Sequence, residues 1–135
     1  MDRLRERLTI AARAVETLRE LALLSSPTKT ERDAAIQRFE YSFEATWKAA
    51  QRYLQVVEGT VVGSPKAAIR ASRESGLLDA TTTEQALGTA DDRNLTAHTY
   101  NESIAAAIST RLPRHLATLE AWLRAMRERL PTAGT

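Results

Sequence analysis

Ile36-Gln37-Arg38-Phe39-Glu40-Tyr41-Ser42-Phe43-Glu44-Ala45-Thr46-Trp47-Lys48-Ala49-Ala50 places large apolar side chains at steps of three and four. Leu54 and Val57 continue the series. That spacing keeps Ile36, Phe39, Phe43, Trp47, Ala50, Leu54 and Val57 on one helical stripe. Glu40, Glu44, Lys48 and Arg52 fall on the other faces. A long helix over about residues 30–58 follows, with Thr30 and Asp33 as an expected variant of the capping box. Gly59 is the expected stop, and Gly63 a second break.

The neighbouring segments read the same way. Leu4, Leu8, Ala11, Val15, Leu18 and Ala22 share a face of a first helix, about residues 2–24, with Asp2 as the expected cap. Ser25-Ser26-Pro27 ends it. Ser64-Pro65 pairs a capping serine with a proline at the first helical position, so a short helix follows and stops at Gly76. Asp79 and a threonine run cap a weaker helical pattern around residues 83–92. The last pattern, residues 101–130, carries Ile104, Ile108, Leu112, Leu116, Leu119, Leu123, Met126 and Leu130. Pro113 lies inside it and is expected to kink or divide the helix. No strand pattern competes. The expected fold is all-α, an up-down bundle of about five helices, as one domain over residues 1–130 followed by a flexible tail at 131–135. Phe39, Phe43, Trp47 and Trp122 are expected to pack its core.

Composition narrows the function classes. The chain has 135 residues, 43% hydrophobic and 27% charged, which is an ordinary globular balance. It has no cysteine, so disulfides, thiolate metal sites and a cysteine nucleophile are excluded. No apolar run approaches the ~20 residues that span a bilayer, and the first residues lead into no signal-peptide core. A cytoplasmic protein with no membrane partner is expected. The 16 Arg and 3 Lys are nearly balanced by 17 acidic residues, for a net charge of +2. A protein that coats a duplex would carry a larger excess.

One stretch concentrates chemistry: Asp91-Asp92-Arg93-Asn94-Leu95-Thr96-Ala97-His98-Thr99-Tyr100-Asn101-Glu102. An arginine and a histidine five residues apart are weak evidence alone, and a tyrosine two residues further makes the pattern specific. These residue types suit RNA cleavage without a metal. RNA supplies its own nucleophile, the 2′-hydroxyl. The reaction then needs a base, an acid for the leaving 5′-oxygen, and positive charge beside the phosphorane. Histidine, with an ordinary pKa of about 6.5, suits the proton transfers. Arginine grips phosphate oxygens with a planar fork. Arg93 and His98 are therefore candidate catalytic residues, with Asn94 as an orienting hydrogen bonder. Five residues on a continuous helix lie about 140° apart around the axis. So either the helix breaks between Arg93 and His98, or a second chain completes the site. A surface arginine, a capping histidine and a packed tyrosine account for the same residues more plainly. His115 lacks an arginine five positions earlier and is expected to be solvated near Pro113. Arg111 and Arg114 are candidate, weaker RNA contacts on the last helix, whose basic run also fits a solvated face.

The run from Arg93 to Glu102 resembles the signature of the HEPN superfamily. Within it, the likeness is to the branch of nucleotidyltransferase substrate-binding proteins now linked to HEPN/MNT toxin–antitoxin pairs. Residues 38–48, Ser64-Pro65-Lys66-Ala67-Ala68-Ile69-Arg70 and Gly76-Leu77-Leu78-Asp79 resemble that family's second helix, third helix and turn, in order. One departure is visible. The stretch Glu84-Gln85-Ala86-Leu87-Gly88-Thr89-Ala90 lacks the bulky apolar residues that often precede the motif, so either looser packing or a partner that fills the space is expected there. The resemblance implies a HEPN-type bundle, a homodimer with Arg93 and His98 of both chains at a shared cleft, and a metal-independent endoribonuclease toxin needing no cofactor. It implies a minimal nucleotidyltransferase antitoxin as partner, able to transfer AMP to Tyr100. It implies RNA as substrate, with tRNA and mRNA both open. The family's older reading is a non-catalytic substrate-binding subunit of that nucleotidyltransferase.

Overall fold

The structure, a computed structural model, describes residues 1–130. Five α-helices and one turn of 3-10 helix account for most of them: α1 (Asp2–Ala22), α2 (Lys29–Val57), α3 (Pro65–Glu74), α4 (Ala80–Leu95), the 3-10 turn (Thr96–His98) and α5 (Glu102–Arg129). No strand occurs among the described residues. The expected tail at 131–135 lies outside them.

Helices α1 and α2 pack most extensively on each other, and α5 lies against both. Each supplies the apolar face that its spacing dictates. All six stripe residues of α1 are buried, from Leu4 to Ala22. From α2, Ile36, Phe39, Phe43, Ala50 and Leu54 are buried, joined by Tyr53, while Trp47 is half-buried and Val57 is exposed. From α5, Ile108, Leu112, Leu116, Leu119, Trp122, Leu123 and Met126 complete the core. The short α3 bridges α2 and α4, and α4 packs on α5. No helix among the described residues is long and apolar enough to cross a membrane.

The helix starts reward and correct the local reading. Ser64 accepts from the Ala67 N–H, with Pro65 at the first position. Asp79 accepts from the Thr82 N–H at 2.7 Å. The box at the start of α2, however, is Thr28 with Glu31, not Thr30 with Asp33. Thr28 Oγ1 accepts from the Glu31 N–H, and the Glu31 carboxylate reaches back to the Thr28 N–H at 2.8 Å. The longer glutamate makes that return bond. At α1 the cap is Met1, with no side-chain bond, and Asp2 sits inside the first turn. Gly59 and Gly76 take positive φ, 70° and 82°, as the stops after α2 and α3 require.

Pro113 does not divide α5, which runs unbroken from Glu102 to Arg129. The missing N–H costs about 3 kcal/mol locally. Buried Leu112, His115 and Leu116 anchor the helix on both sides of it, and such packing outweighs propensity.

Candidate functional site

Helix α4 is poor in large apolar residues. It buries Ala86, Thr89, Ala90 and Asp92, so polar ties hold its end. Three consecutive residues tie it to three different helices. Asp91 meets Lys66 of α3 at 2.6 Å. Asp92 meets Arg111 and His115 of α5. Arg93 meets Glu40 and Glu44 of α2, at 3.8 and 3.3 Å. Successive helical side chains point about 100° apart, so one short stretch can address three neighbours.

The Asp92 ties form a buried network. The carboxylate takes a two-pronged contact from Arg111, Nε to Oδ2 at 2.7 Å and Nη2 to Oδ1 at 2.9 Å. His115 Nε2 lies 2.6 Å from Oδ2, and Nδ1 lies 2.9 Å from the Thr89 hydroxyl. Phe39 of α2 stacks on the imidazole with ring centroids 5.1 Å apart. Burial pushes the Asp92 carboxyl up, but the bonds from Arg111 and His115 outweigh it and hold it below the usual carboxylate range. Burial pushes the His115 imidazole below its ordinary 6.5, against the pull of Asp92. Asp92 is therefore ionised and His115 neutral near pH 7. The ion pair is with Arg111, and Nε2–H of His115 adds a hydrogen bond. Nδ1 faces the Thr89 hydroxyl, which also lies 2.8 Å from the Gln85 carbonyl and shares its one proton between the two acceptors.

One expectation falls here. His115 is not solvated near a kink but only 2% exposed. Arg111, a candidate RNA contact, gives Nε and Nη2 to Asp92 and is one-third exposed. Arg114 remains exposed, with no ion pair among the described residues. The i, i+4 spacing of Arg111 and His115 was the available signal, since it puts both on one face of α5.

Both shifts leave the folded chain with fewer protons than the unfolded chain in acid, so stability rises with pH. The His115 share is fully present above its ordinary 6.5 and is lost as pH falls through its lower folded value. The Asp92 share is lost lower still, below its ordinary 3.8. The thermal midpoint is expected to drop on acidification from about pH 7 to 5, and to drop less in His115→Gln. Equal slopes for the two proteins would contradict this.

The motif itself sits where α4 ends. The α-helix gives way after Leu95 to the 3-10 turn, so of the two alternatives, a break between Arg93 and His98 or completion by a second chain, the break is present. Arg93 is held by Glu40, Glu44 and the Thr96 hydroxyl, 3.1 Å from Nη1. Its Nε is close to Glu44 yet makes no well-directed hydrogen bond. Trp47 fixes Glu44 in turn through Nε1 at 3.1 Å. Asn94 is exposed, and its carboxamide has no partner among the described residues. His98 is exposed. Its Nδ1 lies 3.1 Å from the Tyr100 hydroxyl, with the rings edge-to-face at 5.8 Å. Tyr100 is 85% exposed. No bond links Arg93 directly to His98 or Tyr100 among the described residues. Asn101 caps α5 just beyond, accepting from the Ser103 N–H at 3.0 Å.

Gly88 has open space where a side chain would stand. It borders a cleft of 370 Å³ between α4 and α5, lined also by Gln85, Arg114 and His115. Ala86, Thr89 and Ala90 beside it are buried, so the open space is on the solvent side of the helix. Glu40 and Glu44 were legible only as surface acids on α2, since nothing local announces a contact across 49 residues or more.

Known proteins place the chain. The family described as nucleotidyltransferase substrate binding protein like matches residues 6–128. A Thermus thermophilus protein of known structure is 54% identical, with 87% of this chain and 98% of that one covered and a TM-score of 0.85. The Haemophilus influenzae protein HI0074, described as having the fold of a substrate binding domain of a nucleotidyltransferase, is 23% identical. It covers 89% of this chain and 98% of its own, with a TM-score of 0.74. A tri-AMPylated Shewanella oneidensis HEPN toxin in complex with an MNT antitoxin is 15% identical, covers 96% and 99%, and has a TM-score of 0.75. At those two identities the likeness is one of fold. No curated protein sequence matches the chain. The HEPN-type bundle and a match over nearly the whole length agree: this chain belongs to the nucleotidyltransferase substrate-binding protein-like family.

Proposed function

We propose that the protein is a metal-independent endoribonuclease toxin, inhibited by a cognate minimal nucleotidyltransferase through binding and AMP transfer to Tyr100. The observation that carries this reading is the break after Leu95. It sets His98 and Tyr100 on an exposed turn in mutual contact, at the end of the helix that holds Arg93. With Nδ1 facing the Tyr100 hydroxyl, Nε2 of His98 is left to exchange protons with substrate. It takes the 2′-hydroxyl proton or supplies one to the leaving 5′-oxygen. Arg93 supplies charge to the phosphorane, and Asn94 orients either group. Each chain offers one motif histidine, and a homodimer would supply both acid and base. The products are a 2′,3′-cyclic phosphate or a 3′-phosphate, and a 5′-hydroxyl.

AMP transfer acts on the same contact. The Tyr100 oxygen bonds to the α-phosphorus of ATP, the α–β phosphate bridge breaks, pyrophosphate leaves, and the phenol proton is lost. The capped oxygen can no longer donate to His98. The added phosphodiester also places negative charge and a nucleoside beside the turn, where RNA phosphate must approach.

One observation favours a second reading. Glu40 and Glu44 already neutralise Arg93, which suits a non-catalytic subunit that presents substrate to the nucleotidyltransferase. The two readings part experimentally. Incubation with ATP, Mg²⁺ and the nucleotidyltransferase is expected to add one or more AMP units by intact mass, and Tyr100→Phe to remove the gain. The unmodified protein is expected to cleave RNA in the presence of a chelator. Intact RNA, with partner ATP turnover that depends on this chain, would establish the second reading instead.

A further inference from the structure

Of the basic residues that the sequence offers for RNA on α5, Arg111 is engaged by Asp92. The structure gathers another set between α1 and α2. Arg7 of α1 and Lys48 and Arg52 of α2 line one small cavity of 130 Å³, with Gln51, Gln55 and Val62 around it. No carboxylate lines this cavity. None of the three cations has an ion-pair or hydrogen-bond partner among the described residues. Arg52 Nε is withdrawn from solvent and has no acceptor. A buried, unpaired donor on a cation is unfavourable and marks a place for an anion oxygen. Gln51 is fixed by its bond to the Val62 carbonyl at 2.8 Å, which folds the loop after α2 over the cavity. The cavity is well below the ~300 Å³ of sites that enclose a whole small molecule. It suits a single phosphoryl group.

Its place on α2 ties it to the motif. Glu44 touches Arg93, Lys48 lies one turn further along, and Arg52 one turn beyond that. Those steps are ~6 and ~12 Å along the helix, with only about 40° of rotation each. A strand whose scissile phosphate lies at Arg93 can therefore lay a neighbouring phosphate on the cluster. We infer that Arg7, Lys48 and Arg52 form a phosphate subsite for the backbone of single-stranded RNA, next to the cleavage site. The inference rests on the ribonuclease reading for its ligand. The subsite explains how a chain of net charge +2 grips RNA: the excess is local, three cations without an opposing acid.

The test is binding of a fluorescein-labelled oligouridylate to the full chain by anisotropy, between about 50 and 200 mM KCl with chelator present. Arg7→Gln, Lys48→Gln and Arg52→Gln are made singly and together. These side chains hold no intramolecular bond, so their thermal midpoints should match the parent. Should the triple variant misfold, the single ones carry the test. The triple change is expected to weaken binding about tenfold or more. It should also make the slope of log affinity against log salt shallower, by roughly 0.7 for each phosphate no longer neutralised. Arg52→Lys is expected to keep most of the slope, and inorganic phosphate to compete weakly. Unchanged affinity and slope, or a parent that binds no RNA, overturns the subsite. So does loss of nucleotidyltransferase binding alone, which would assign the cluster to a protein partner. RNA cleavage is scored in parallel. Weaker binding by the variants with no cleavage by the parent sinks the ribonuclease and leaves the subsite standing. Cleavage by the parent with unaltered binding by the variants does the reverse.

Discussion

His98→Ala is expected to lower the rate of RNA cleavage by ~10²–10⁴-fold, the range for loss of a general acid–base group. The fold should not change. His98 is exposed, and its contact is with Tyr100, itself 85% exposed. Substitutions at such positions move stability by about 0.5 kcal/mol or less. Cleavage of a labelled RNA with chelator present measures the first effect, and thermal unfolding the second. Growth inhibition on expression should disappear with the activity. Full cleavage by a stably folded His98→Ala protein would remove the imidazole from the mechanism. Tyr100→Phe separates the roles further. It deletes the hydroxyl facing Nδ1 but keeps the ring, so it should block modification outright while changing cleavage far less than loss of the imidazole does.

The second large effect is on stability. Asp92→Ala should cost about 3 kcal/mol, the lower end of the range for breaking a buried charge pair. The low end applies because Arg111 is one-third exposed and regains water when its partner goes. His115 has no such recourse. It is 3% exposed at the side chain and loses the acceptor for Nε2–H. The thermal midpoint is expected to fall by roughly 10 °C. Asp92→Asn should fall less, since one amide oxygen still accepts from Arg111 or His115. A shift of a degree or two for Asp92→Ala would mean that apolar contacts hold α4, not this network. Activity should fall too, because Arg93 is the next residue on the same turn.

The apolar periodicity was enough for the bundle because α1, α2 and α5 are each amphipathic. All six α1 stripe positions are buried as spaced. The same logic weakens for α4, which runs longer than its spacing marks because its contacts are polar and non-local. The candidate site is legible where it is local: Arg93, Asn94, His98 and Tyr100 stand within eight residues. Glu40, Glu44 and the Asp92–His115 pair are not, because pairing across helices leaves no mark on spacing along one of them. His115 departs from expectation for a specific reason. A histidine near a proline reads as exposed, and only the buried carboxylate opposite makes it a core residue. Pro113 leaves α5 undivided for a similar reason, since its local cost is visible in the sequence and the packing that keeps the helix continuous is not.

The three ties made in succession by Asp91, Asp92 and Arg93 bear on which changes α4 can accept. Point substitutions remove one tether and leave two. An insertion or deletion of one residue upstream in α4 would instead turn this segment by about 100° against its neighbours. Asp92 would then swing away from Arg111 and His115, and Arg93 away from Glu40 and Glu44. The helix end works as a rotary key. Among related sequences, α4 should vary freely in its exposed letters yet hold its length between Asp79 and the 3-10 turn, with insertions pushed out into the loops on either side.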